Sequence, residues 1–290
     1  MHLSDLLSMW RSPRLVAWFL SGSFLLVAAT LPFSFCPLIA GVADLRPGAA
    51  LVPLLGIFGG PAGVWAAFAG TLTGDLLTST WESLVPFRAL GAAIAAWIAQ
   101  RLWDPGPATS SVPAHSSCAR VFRFMCCALP SIFAYSAWPA LAGAMDHLYP
   151  FPYLLLLYGG GDLLFLLALG LPLFHIVIRS ERLAGEPWQH ALARSSSKDA
   201  LPWWGILSPW LGGLGAWILG PLTAGWVYGT WPWHRYIVGT RDGGRSWFVV
   251  LFCLLVQVAG LLPRPRQGAP GGGTSQSRFG NTLLPPILRR

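Results

Sequence analysis

Long apolar blocks follow one another along this chain, separated by short polar interruptions. Several approach the ~20 residues that a helix needs to cross a bilayer. They predict membrane helices at about Leu15 to Phe33, Pro47 to Phe58, Ala62 to Leu77, Leu84 to Trp103, Val121 to Gly143, Phe151 to Ile178, Trp203 to Tyr228 and Trp247 to Leu262. The second and third are short, so they are expected to lean or to be partly re-entrant, meeting at a tight turn in a glycine-rich run. The first follows Arg11 and Arg14 as a secretion signal would, but it is too long and has no clear small-x-small cleavage site before Pro32, so it reads as a retained helix.

The polar interruptions divide the chain. Pro, Ser, Thr and Gly dominate Asp104 to Ser117, which reads as a loop between two groups of helices. The segment Glu181 to Asp199 separates a six-helix unit from a two-helix appendage. After Pro263 the residues cannot bury enough apolar surface to offset chain entropy, which predicts a disordered tail. The expected organisation is a solute-binding core over 1–183, a polar inner loop over 184–200, two accessory helices over 201–262 and a Pro/Gly/Arg tail over 263–290.

Composition moves the reading firmly to the membrane: hydrophobic residues make up 54% of the chain and charged ones 10%, far from a soluble globular balance. The expected fold class is an all-α integral membrane protein, a six-helix bundle plus two accessory transmembrane helices. The net charge of +8 is scattered through loops, which argues against nucleic-acid binding. Topology explains it better: with the N-terminus inside, inner segments hold roughly fourteen basic residues and outer ones roughly five. A multi-pass cell-membrane protein with both termini cytoplasmic follows. The five cysteines form no C-x-x-C pair and no His stands at zinc-ligand spacing, so they read as small packing residues and no metal is expected.

Small residues recur at helix-facing intervals: Gly63, Ala67, Gly70 and Gly74; Gly91, Ala95 and Ala99; Gly212, Ala216, Gly220 and Ala224. Such stripes let helix backbones approach closely, either within the chain or as a docking face for another subunit.

Candidate chemistry lies in isolated charges at membrane depth, where an ionisable group is costly and by default functional. Arg46 and Asp75 bracket the glycine-rich run. Thr71, Asp75 and Thr78 share one helix face; Arg88 lies about one turn into the fourth helix; Tyr158 and Asp162 stand four apart, and Gly159, Gly160 and Gly161 between them invite a loosened helix. Outer connections add Asp44, Trp81, Glu82, Asp146 and His147. A polar cup opening outward is the expected picture, suited to a small zwitterionic or hydrogen-bonding solute. The competing reading makes Asp75 with Arg88, or Asp162 with Arg46, buried pairs that only tie helices together. His175, beside Arg179, reads as an inner interface residue.

The stretches Asp44-Leu-Arg-Pro-Gly-Ala-Ala, Leu-Gly-Ile-Phe-Gly-Gly-Pro-Ala-Gly-Val-Trp-Ala-Ala and Gly70-Thr-Leu-Thr-Gly-Asp75-Leu resemble the substrate-binding S components of energy-coupling factor vitamin transporters and related six-helix proteins. Leu169-Gly-Leu-Pro-Leu-Phe-His-Ile-Val-Ile-Arg179 fits the end of the same unit, so the resemblance covers about residues 15 to 183. It implies capture of a vitamin-like nutrient at the outer face, docking onto a transmembrane T component coupled to two ATPase subunits, and reorientation to release cargo. Within the matching stretch it implies outer-cavity roles for Arg46 and Asp75; Arg88, Tyr158, Asp162, Thr71 and Trp81 join them on polarity. The chain cannot be the motor itself, because its only lysine, Lys198, has no upstream glycine loop to cradle phosphate. No cofactor is expected.

Two other classes compete. Gly159-Gly160-Gly161-Asp162 matches the G-x-G-D signature of intramembrane aspartyl proteases, whose chemistry needs a second carboxylate, here Asp75 or Asp44. The lysine that usually follows that aspartate is absent, Leu163 and Leu164 standing in its place. Neither G-x-S-x-G nor H-E-x-x-H occurs, so serine and zinc hydrolysis find even less in the sequence. The third class is a membrane sensor or scaffold that binds without moving anything.

Overall fold

Inside a bilayer every backbone N–H and C=O must be satisfied within the protein, which favours helices, and helices carry most of this chain. The computed structural model describes residues 6–7, 9–33, 37–39, 43–44, 46–78, 84–103, 117–146, 151–179, 203–223 and 246–262. Helix α1 spans Pro13–Thr30, with Pro13 at its first turn, where a missing N–H does no harm. A two-stranded antiparallel pair follows, β1 (Pro37–Ile39) and β2 (Ala43–Asp44). A 3-10 turn at Pro47–Ala50 leads into α2 (Leu51–Thr78). Then come α3 (Leu84–Trp103), α4 (Ser117–Met145), α5 (Phe151–Phe165), a π segment at Leu166–Gly170, α6 (Leu171–Arg179), α7 (Trp203–Thr223) and α8 (Ser246–Ala259).

Five of the described stretches are long and apolar enough to cross a membrane: Pro13–Phe33, Pro47–Thr78, Cys118–Met145, Phe151–Arg179 and Trp203–Leu222. The chain is thus a predominantly helical protein with the character of a multi-pass membrane protein. Helix α3 falls outside that group because Arg88, Gln100 and Arg101 dilute its alanine-rich sequence, and α8 is shorter.

Helix α2 is a hairpin. Gly60 breaks it with φ 56° and ψ −131°, a left-handed backbone that only glycine adopts freely, and Pro61 begins the second limb. In an unbroken helix residues eight apart are separated by about 12 Å along the axis. Here a methyl group on Gly63 would run into the Leu55 carbonyl, so the limbs are folded back on each other. The expected tight turn between two short helices is therefore present. The first limb is too short to span, whereas the 18 residues from Pro61 to Thr78 extend about 27 Å.

Small residues set the packing around this hairpin. Gly22 faces Ala66, Gly70 faces Leu26 and Gly74 faces Thr30, a register repeating every four residues that lays α1 alongside the second limb. A Cβ on Gly70 would lie 3.0 Å from Leu26 Cβ. The first limb instead meets α3, where Gly56 abuts the Ala96 backbone. Helix α4 packs on α3 at Gly91, against Tyr135 and Trp138, and Ser131 Oγ donates to the Ala95 carbonyl at 2.7 Å. The described parts of all three predicted stripes are thus used within the chain; Ala224 lies outside the described residues.

The two later helices are fastened to the first six. Helix α7 packs on α8, α4 and α5. The buried Gln257 Nε2 of α8 donates to the carbonyls of Pro130 in α4 and Pro209 in α7, at 3.2 and 3.1 Å. At the end of the described chain, Arg101 Nη2 donates to the Leu261 carbonyl at 2.8 Å.

Two expectations need correction. The helix runs regularly through Gly159, Gly160 and Gly161, and the loosened stretch is the π segment beginning at Leu166. Pro172 explains the shift, since it lacks the N–H that an α-helix would offer to the carbonyl four residues earlier. Cys118 is exposed and so is no packing residue, unlike the buried Cys127 and Cys253.

Candidate functional site

The hairpin decides which charges meet. Arg46 stands fourteen positions before Gly60 and Asp75 fifteen positions after it, so folding at Gly60 brings the two ends side by side. Arg46 Nη1 lies 3.0 Å from Asp75 Oδ1. The other carboxylate oxygen, Asp75 Oδ2, is 3.9 Å from Arg88 Nη1 on α3 and accepts no hydrogen bond. Asp75 and Arg88 are each only 6% exposed, so the carboxylate stands between two guanidinium groups with little water.

Arg88 reaches beyond Asp75 to α5. Its Nη2 donates to Tyr158 Oη at 3.2 Å, and its guanidinium carbon lies 5.6 Å from the centre of the Tyr158 ring, within the range of a cation–π contact. One turn further along α5, Asp162 points the same way and is 5% exposed. The charges of Arg46 and Arg88 act on it. Among the described residues no hydrogen bond or ion pair at contact distance reaches its carboxylate. The Pro47–Ala50 turn rests on α5 and on the π segment, which places Arg46 near this side of the helix.

The structure thus brings together Arg46, Asp75, Arg88, Tyr158 and Asp162 from four places in the sequence. Of the two alternative fastenings, Asp75 with Arg88 is present in weakened form, and Arg46 bonds Asp75. Thr71 is buried one turn before Asp75, yet no hydrogen bond links it to the cluster among the described residues. Thr78 Oγ1 donates to backbone carbonyls of its own helix, those of Gly74 at 2.9 Å and Asp75 at 3.4 Å, and to no side chain of the cluster among the described residues. Asp146 caps the far end of α4 and is exposed. His175 is half-buried on α6, away from these groups. Trp81, Glu82, His147 and the side chain of Asp44 lie outside the described residues.

Tyr135 of α4 was not legible as a site residue. It is 6% exposed and within the electrostatic reach of Asp162, Arg46, Asp75 and Arg88 together. Nothing in its sequence neighbourhood marks it; the signal is the opposing Gly91, three residues after Arg88, which lets this part of α4 close on α3. On the other side of α5, the Trp217 ring of α7 covers Gly159 and meets Phe133 at 5.1 Å between centroids.

Chemically the arrangement holds two cations, two carboxylates and two phenols among apolar walls, with one carboxylate already neutralised. Compared with family models, curated proteins and solved structures, the chain matches none.

Proposed function

We propose that this chain is a membrane-embedded solute-binding subunit that takes up a small, vitamin-like nutrient from the outer face and works with a separate energising module. In this reading the first six helices, counting the two limbs of α2 separately, form an S-component-like core. The N-terminus and C-terminus are cytoplasmic, and α7 and α8 are accessory. The partners are a small-molecule solute, the lipid bilayer, and a transmembrane T component with ATPase subunits.

One observation carries the reading: Asp162 is buried within the electrostatic reach of Arg46 and Arg88, and among the described residues no hydrogen bond or ion pair engages its carboxylate. Charges kept only to fasten helices are expected to be paired, because an uncompensated buried charge destabilises a fold. A buried carboxylate with no bonded partner among the described residues, set among converging polar groups, is what a binding site presents before its ligand arrives. Arg46, Asp75, Arg88, Tyr158 and Asp162 are the residues assigned to the solute, with Thr71 and Trp81 at the margin.

The test is binding without chemistry. Purified chain in detergent should gain thermal stability with a nutrient solute, and the gain should vanish in Asp162→Asn. Co-expression with a T component and paired ATPases should allow uptake of that solute, whereas a sensor or scaffold would bind it and import nothing. The G-x-G-D protease reading has less support, because Asp75 is engaged by Arg46 and Arg88 and no hydrogen bond among the described residues joins it to Asp162 to share a proton.

A further inference from the structure

We infer that α6 is a hinged arm: it pivots on the π segment, and Phe174, seated among three aromatic rings, is the latch that holds it against the rest of the bundle. Such an arm operates whether or not the charge cluster takes a solute.

The hinge comes from the backbone. Helices α5 and α6 belong to one apolar stretch of 29 residues, Phe151–Arg179. As a continuous helix it would run about 43 Å, well beyond the ~30 Å of bilayer hydrocarbon. It is interrupted at Leu166–Gly170, where the Leu171 N–H reaches back to the Leu166 carbonyl and the next residue, Pro172, has no N–H to give. This turn is held by fewer bonds than the helix on either side, and π interruptions are places where helices bend.

The latch comes from side chains. Of the nine residues of α6, Phe174 alone is buried; the others are half-buried or exposed. Its ring stacks on Phe124 of α4 at 4.2 Å, meets Trp103 of α3 edge-on at 5.7 Å and lies 6.3 Å from Phe58, close to the tip of the α2 hairpin. In water the hydrophobic effect would keep such a helix in place. In lipid that force is absent, because acyl chains are as apolar as leucine, and packing is what binds one helix to another. The attachment of α6 therefore centres on one ring. The spans of α2 and α4 are 78% buried, whereas the span that ends in α6 is 22% buried.

The pivot also touches the support of the charge cluster. A Cβ on Gly170 would lie 3.6 Å from the Ala50 carbonyl oxygen, in the turn that starts at Pro47, directly after Arg46. Swinging α6 out of its socket thus pulls on the turn that sets Arg46 against Asp75.

The experiment measures distances by pulsed electron resonance in the full chain, its own cysteines replaced by serine, in phosphatidylcholine bilayers. Spin labels on Ile176→Cys of α6 and Phe122→Cys of α4, both exposed, report the arm. Labels on Leu156→Cys of α5 and Phe122→Cys report the bundle without it. The unaltered latch should give one dominant arm distance. Phe174→Ala should enrich a second, longer one roughly tenfold through the lost ring contacts, while the control pair stays fixed. Phe174→Leu keeps apolar bulk but has no ring to stack; it should shift the same way, and it replaces Phe174→Ala if that variant does not fold. Adding Pro172→Ala, which restores an N–H at the pivot, should cut the longer distance back. An arm distance unmoved by either Phe174 variant overturns the latch. Spreading of the arm and control distances together makes Phe174 an ordinary core side chain and overturns it equally. A longer distance that Pro172→Ala leaves untouched takes the pivot away from the π segment, and the hinge falls.

Discussion

Asp75 and Asp162 are two buried carboxylates in opposite circumstances, and their removal should have opposite consequences. Asp75→Asn leaves Arg46 and Arg88 facing each other with no anion between them. Breaking a buried pair in this way typically costs about 3–5 kcal/mol, so the unfolding temperature in detergent should fall sharply. Asp162→Asn removes a carboxylate that no described group bonds, and its unfolding temperature should stay level or rise. A large loss of stability in Asp162→Asn would show that the carboxylate is a helix fastener, contrary to its assignment to the solute. The pair Arg88 and Tyr158 can be tested as a unit: Tyr158→Phe keeps the ring under the guanidinium but removes the oxygen, and should cost about 0.5–1.5 kcal/mol.

At the scale of elements, the α2 hairpin and the glycines around it are the most exacting features. Gly63→Ala would push a methyl group into the Leu55 backbone, and Gly70→Val would crowd Leu26 and Ser23 of α1. Overpacking of this kind costs about 1–3 kcal/mol, measurable as lowered thermal stability, whereas Gly160→Ala meets nothing within 4 Å and should be silent. Much of this was readable in advance. Gly60-Pro61 punctuates an apolar run too long for one limb and too polar at its ends to be buried throughout, so the turn and its flanking charges stood out. The π segment was not readable, because three consecutive glycines in α5 looked weaker than the single Pro172 that displaces the irregularity. The choice of partners was equally hidden: sequence placed Arg46, Asp75, Arg88 and Asp162 at similar depth, but which carboxylate takes which arginine depends on the hairpin's register and on how α5 meets the Pro47–Ala50 turn. Tyr135 escaped for the same reason, since its role comes from a neighbour on another helix.

For the molecule as a whole, orientation and the seating of the last two helices each have a direct physical readout. Exposed Cys118 lies at the start of α4, next to Arg120 and Arg123, on the side that charge asymmetry assigns to the cytoplasm. In a chain keeping only that cysteine, a membrane-permeant maleimide should label it in intact cells and an impermeant one should not. The later helices are joined to the core by Gln257 and Arg101, so Gln257→Leu should strip hydrogen bonds from two carbonyls and lower stability by about 1–3 kcal/mol. The fold of α2 also constrains the gene. One codon lost between Gly60 and Asp75 would slide that limb by about 1.5 Å and swing its side chains by about 100°, aiming Asp75 away from Arg46. Length changes in this stretch are therefore compatible with the charge cluster only as near-whole helical turns, added or removed in both limbs together, as though the tip were a fold line that both margins of a page must match.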